Sequence, residues 1–165
     1  MPAYCLFCET QKCATIARLI EQCWGIPCIS PQIVQRKWVK GIPKEVNHAM
    51  LPGYVFLYPE YYLEKLIWFP GIIRTLGSKE LQGRDLSFAM MIREKNGVIG
   101  TIQLIEEGDK CVINDPLWKR MEGKVIKVDR GRRRCCIEFL FDDVQRTIWL
   151  GYDIIQLKTN LLRSN

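Results

Sequence analysis

The sequence predicts an α+β protein in two parts: an α/β sandwich over residues 1–100 and a small five-stranded β-barrel over 108–165, joined by a linker at 101–107. Three observations predict it. Strand-like and helix-like apolar runs alternate through the first hundred residues, the pattern of a sheet packed with helices. From Gly108 the texture changes to short β runs broken by turns, as in a small barrel. The charge changes at the same place. Residues 1–109 hold 12 basic and 11 acidic side chains, whereas residues 110–165 hold 12 and 7, so most of the net +6 lies in the last third. Such an excess suits a polyanion partner.

The elements of the first part follow in order. "AYCLFCE" reads as a short strand. Thr10 then caps a helix running to about Trp24, with Cys13, Ile16, Ala17, Leu19, Ile20 and Cys23 on its apolar stripe and Gly25 as the C′ residue. "QIVQRKWVKG" and "NHAMLPGYVFLYP" read as strands separated by a basic, Pro-containing loop. "EYYLEKLIWF" is a helix candidate stopped by Pro70-Gly71, "GIIRTLG" is a strand, and "RDLSFAMMIREKNG" is a third helix with Asp85 as N-cap and Gly97 beyond its end. "GVIGTIQLIEEG" reads as a hinge.

The second part offers "DKCVIND", "GKVIKVD", "RCCIEFLF", "RTIWL" and "IIQLK" as strands. Pairing Val128 with Cys135 and Ile126 with Ile137 puts both pairs on one apolar face. Lys127 then lies opposite Cys136 and Asp129 opposite Arg134 on the other. Arg130, Gly131, Arg132 and Arg133 are left as the connecting turn, with Gly131 supplying a positive φ. Four arginines therefore crowd one exposed hairpin tip.

Several function classes lack support. "MPAYCLFCET" has no basic region followed by a long apolar core, and "MLPGYVFLYP" is too short and too interrupted to span a bilayer, so a cytoplasmic protein with no membrane partner is expected. Eight cysteines without an export signal read as reduced, buried thiols. Cys5 and Cys8 have the spacing of a metal or redox pair, but a strand would point them to opposite faces. His48 is the only histidine, and no phosphate-cradling glycine loop occurs. No catalytic residue, metal ligand or cofactor is assigned, and no enzyme is expected.

"GDKCVINDPLWKRMEGKVIKVD" resembles a KOW motif, with Gly-Asp opening one strand and Gly123 starting the next. "LPGYVFL" resembles the Pro-Gly-Tyr-Val strand of the NusG N-terminal (NGN) domain, and "AYCLFCETQKCATIARLI" resembles that domain's first strand and helix. The chain is thus similar in order and spacing to the NusG superfamily, most of all to its specialised antiterminators of the LoaP type. Ala3-Tyr4 departs from the family's usual Trp-Tyr start. The resemblance implies a monomeric transcription elongation factor promoting processive antitermination. Its 1–100 domain would bind the clamp helices of RNA polymerase, and its 108–165 KOW domain would bind a further partner.

What the resemblance implies for residues is specific. Tyr4, Leu51, Tyr54, Trp68 and Phe69 fall near the polymerase-facing surface, although a core role competes for most of them. Arg36, Lys37, Trp38 and Lys40 lie on an arm near upstream DNA. On the barrel, Arg130, Arg132, Arg133 and Arg134 form a basic tip, with Lys119, Arg120, Lys124 and Lys127 extending it. Guanidiniums fit phosphates and stack on unpaired bases, so an RNA hairpin in a nascent leader transcript is the expected ligand. The bland alternative is a solvated turn. Some relatives refold the KOW domain into helices that mask the polymerase site. Here period-two β-branched and aromatic runs predict a barrel with little docking onto the first part. The rival functional class is a ribosome-associated RNA-binding module that never touches polymerase.

Overall fold

The computed structural model describes residues 1–65, 67–76 and 79–156. In chain order the elements are β1 (Tyr4–Cys8), α1 (Cys13–Trp24), β2 (Cys28–Ile29), β3 (Gln32–Val39), β4 (Ile42–Ala49), β5 (Tyr54–Leu57), β6 (Ile72–Thr75), α2 (Gly83–Glu94) and β7 (Val98–Ile99), followed by β8 (Ile102–Glu107), β9 (Lys110–Ile113), α3 (Pro116–Arg120), β10 (Lys124–Asp129), β11 (Arg134–Phe141) and β12 (Val144–Ile155). They form three sheets, ordered β2-β5-β1-β6, β4-β3-β7 and β10-β11-β12-β8-β9. The last is a nearly closed, barrel-like sheet, so the chain is a mixed α+β protein.

The two central strands of the first sheet, β5 and β1, are buried on both faces, which explains why β5 is apolar throughout. Tyr4, Leu6, Val55 and Leu57 point toward Ile16 and Ile20 of α1. Cys5, Tyr54 and Phe56 point the other way, toward Phe88 and Ile92 of α2. Helix α1 begins only after a 3₁₀ turn at Thr10–Lys12, so Thr10 does not cap it. Gly25 ends it as expected, at φ 65° with its N–H donating to the Glu21 carbonyl. Asp85 lies inside the first turn of α2 rather than at its N-cap, which is Gln82.

Three expected connections or helices are something else. The basic loop after Lys40 is strand β4, paired with β3 from Gln32–Ala49 to Val39–Ile42. Lys40 and Gly41, both at positive φ, make the two-residue turn that this hairpin requires. Pro43 is tolerated because β4 is an edge strand. The segment 60–69 is not helical in its described residues. Pro59 and Pro70 bracket it, Leu63 and Ile67 tuck under α1, and the Tyr4 hydroxyl accepts from the Leu63 N–H at 2.9 Å, while Tyr61, Tyr62 and Trp68 face solvent. The 101–107 linker is largely β8, with Ile102 and Leu104 buried and Ile102–Ile105 paired in parallel with Tyr152–Ile155. Its period-two alternation is a strand signal.

The β10–β11 hairpin keeps most of its expected register: Lys127–Cys136, Val128–Cys135 and Asp129–Arg134. Ile137 faces Val125 instead of Ile126, because a bulge pushes Ile126 out to solvent. "RTIWL" and "IIQLK" belong to one strand, β12, as far as Ile155; Leu157 and Lys158 lie outside the described residues. Helix α3 was not foreseen. Asp115 caps it by accepting from the Leu117 N–H at 2.9 Å, with Pro116 at the start. It drives Trp118 into the barrel against Phe139 and Gly123, where an added Cβ would stand 3.1 Å from the indole.

The barrel does not stand apart. Phe139 of β11 stacks on Phe88 of α2, with centroids 5.3 Å apart. Phe141 meets Tyr54, Phe56 and Phe88 at 4.9–5.6 Å. The following turn, Asp142-Asp143, has both residues at positive φ and reaches the first sheet. Asp142 pairs with Arg74 at 2.6 Å, and its N–H donates to the Asp85 carboxylate. Little docking is expected from the sequence; instead the barrel and the α2 side of the first sheet share one apolar core, with a second core on the α1 side. The alternation of "CIEFLF" shows an inward face, and nothing local to it shows that two of its rings reach beyond the barrel.

All eight cysteines are free thiols, and Cys5 and Cys8 lie in cores on opposite faces of β1. Burial pushes Cys8, Cys28 and Cys135 from the ordinary 9.0 up to about 12. A thiol whose folded pKa is raised adds stability that is complete below the unfolded value and is lost as pH rises. Melting temperature should therefore hold to about pH 9 and fall between about 9 and 12. A thiol reagent at neutral pH should modify the exposed Cys23 first. No helix among the described residues is long and apolar enough to cross a membrane.

Candidate nucleic-acid interface

The β10–β11 turn is built by its own first carboxylate. Asp129 Oδ1 accepts from the Arg132 N–H at 3.1 Å, bending the chain over Arg130–Arg133. That bond, with the guanidiniums beside it, holds the Asp129 carboxyl below its usual range. The positive φ falls on Arg133 (48°) rather than on Gly131. An arginine there costs about 1 kcal/mol relative to glycine. The tip thus keeps a guanidinium where the backbone favours a residue without one.

Charge at the tip is more balanced than the sequence suggested. Arg130 pairs with Glu106 at 2.8 Å, Arg133 with Asp153 at 3.6 Å, and Arg134 with Asp129 at 3.4 Å. Glu106 and Asp153 come from β8 and β12, so only the barrel's closure reveals them. These pairs are solvent-exposed or nearly so and are worth little. Among the described residues the Arg132 side chain has no ion-pair partner. Lys127 and four arginines outnumber three carboxylates, so the tip stays cationic.

The expected basic surface divides in two. Lys127 belongs to the tip, on the polar side of the hairpin. Lys119, Arg120 and Lys124 do not: Lys124 opposes Glu138 at the far end of β10, roughly 17 Å from Asp129 at strand rise. Lys119 and Arg120 close α3, whose Leu117 and Arg120 face Leu86 and Met90 of α2 across a small cleft. The α3 insertion decides this, because it carries the 114–123 loop to the α2 side.

Sequence reasoning also missed Trp149. Its neighbours Ile148 and Leu150 point inward, so Trp149 lies on the barrel's outer face, in register with Cys136 and Lys127. The Arg134 guanidinium lies 4.6 Å from the indole centroid and the Lys127 ammonium 6.0 Å. The pattern I-W-L within an alternating strand was the available signal.

The β3–β4 arm carries all four DNA-arm candidates. Arg36, Lys37, Trp38 and Lys40 are outside the core, and Trp38 (71% exposed), Val39 and Ile42 put apolar surface at the arm's end. Its base is tied down by Ile33, buried and paired with Ile99 of β7.

The five polymerase candidates are not brought together. Tyr4 and Phe69 pack on the α1 side of the first sheet, with Phe69 against Trp24. Leu51 and Tyr54 lie on the opposite side, both buried. Tyr54 is covered by Phe141, and its hydroxyl accepts from Arg146 at 2.7 Å. Trp68 alone is exposed. A scan against protein-family models and a search of curated proteins each found no match for this chain.

Proposed function

We propose that this chain is a non-enzymatic transcription elongation factor of the NusG type, promoting processive antitermination in the cytoplasm. In this reading the first part is an NGN-like domain that engages RNA polymerase through the Leu51–Tyr54 side of its sheet. The barrel is a KOW domain that grips a structured leader RNA with its arginine tip, and the β3–β4 arm meets upstream DNA. The order of the resembling motifs along the chain supports the family. The observation that carries the RNA assignment is the tip itself: five cations around a turn in which Arg133 keeps its guanidinium at a strained φ.

The tip and the Asp142-Asp143 turn lie at opposite ends of β11, roughly 23 Å apart at strand rise, so RNA binding does not require the barrel to leave the first sheet. For about three to five phosphates held, log affinity should fall against log salt with a slope of about −2 to −4. Combining Arg132→Ala with Arg133→Gly should flatten that slope by about 1–2, while the glycine relieves backbone strain and keeps the barrel folded. Unchanged RNA affinity in this variant would return the arginines to a solvated turn.

A further inference from the structure

A half-buried tryptophan on the outer face of a small barrel, flanked by two cations, stands outside the core that Ile148, Leu150 and Tyr152 form from the same strand. Its surroundings are those of a stacking platform. Aromatic rings, indole among them, and guanidinium planes are the surfaces on which proteins stack unpaired bases. Here they sit together: Arg134 lies over Trp149 at 4.6 Å, and Asp129 at 3.4 Å holds the guanidinium from the side. Buried Cys136 lies between Trp149 and Lys127 in the strand register. Arg132, without an ion-pair partner among the described residues, follows on the adjoining turn.

Resting on the RNA reading above, we propose that Trp149 and Arg134 form a stacking site for one unpaired base, with Lys127 and Arg132 holding its flanking phosphates. The ligand class is thereby narrowed. A fully paired helix keeps its bases stacked on one another and offers the site only phosphates. A loop or bulge presents a base that has lost its neighbour. Stacking tolerates any base, so the platform selects for an unpaired position and leaves sequence to other contacts. Phosphate and stacking contributions separate in their salt dependence, because only the former release counterions.

The test uses the full chain and two RNA probes: a stem-loop with an oligouridine loop, and the same stem as a blunt duplex. Affinities are measured across a salt series for wild type, Trp149→Leu and Trp149→Phe, with thermal melts to establish that each variant is folded. Leucine fills space without a π-face, whereas phenylalanine keeps one. The expected result is that Trp149→Leu weakens stem-loop binding about tenfold or more with no change in salt slope, and Trp149→Phe recovers most of it. Duplex binding should be unchanged in both. Equal affinity of wild type and Trp149→Leu for the stem-loop would overturn the stacking site while leaving the arginine grip standing. An equal loss on both probes would also overturn it, by making Trp149 structural. Absence of binding to either probe by wild type would remove the RNA reading and this site together.

Discussion

Phe88→Ala is expected to destabilise the whole chain by about 3–5 kcal/mol, the cost of emptying a fully buried aromatic site. Phe88 is 0% exposed and touches Phe56 of the first sheet and Phe139 and Phe141 of the barrel. Its ring thus joins the two parts of the core. The loss should appear as a single cooperative transition at lower denaturant, whether followed by aromatic or backbone signals. Two separated transitions, with the barrel unaffected, would contradict a shared core. For the same reason a fragment ending at residue 100 is a poor reagent. It would expose Tyr54, Phe56 and Phe88, rings that the barrel now helps to cover.

Local patterns carried much of the fold. Short apolar runs placed β1 and β5, period-two alternation placed β10 and β11, and the stripe from Cys13 to Ile20 placed α1. The misreadings share a physical cause. A helix-like composition at 60–69 lost to two flanking prolines and to the Tyr4–Leu63 hydrogen bond, which only tertiary structure supplies. Pro43 and the charges around it read as loop, yet an edge strand accepts both. Residues 102–105 read as hinge because their partner in β12 lies some fifty residues away.

The site was legible to the same degree. The arginine turn and its register could be read from "VIKVDRGRRRCCIEF" because hairpin pairing is local. Glu106 and Asp153, which partner two of those arginines, could not be, since barrel closure brings them there. Lys119, Arg120 and Lys124 were grouped with the tip by position in the chain, and α3 separates them from it. Tyr54, for which a core role competed, is buried between Phe7 of its own sheet and Phe141 of the barrel, and only the second of these depends on the barrel's placement.

That cover frames the most direct test of the proposed function. If polymerase binds the Leu51–Tyr54 side, the barrel must first withdraw, and the apparent affinity is reduced by the small fraction of withdrawn molecules. Phe141 is the ring to change, because its aromatic partners Tyr54, Phe56 and Phe88 all belong to the first part. Burying such a side chain is worth about 1.5–3 kcal/mol. Phe141→Ala should therefore raise apparent polymerase affinity about tenfold to a hundredfold. Arg74→Glu, which sets a carboxylate against Asp142, should act in the same direction. The measurement is retention of core RNA polymerase by the immobilised full-length chain, wild type beside Phe141→Ala. The account predicts weak retention by the first and strong retention by the second. No retention by either folded protein, with RNA binding intact, would contradict it and leave an RNA-binding module that never meets polymerase.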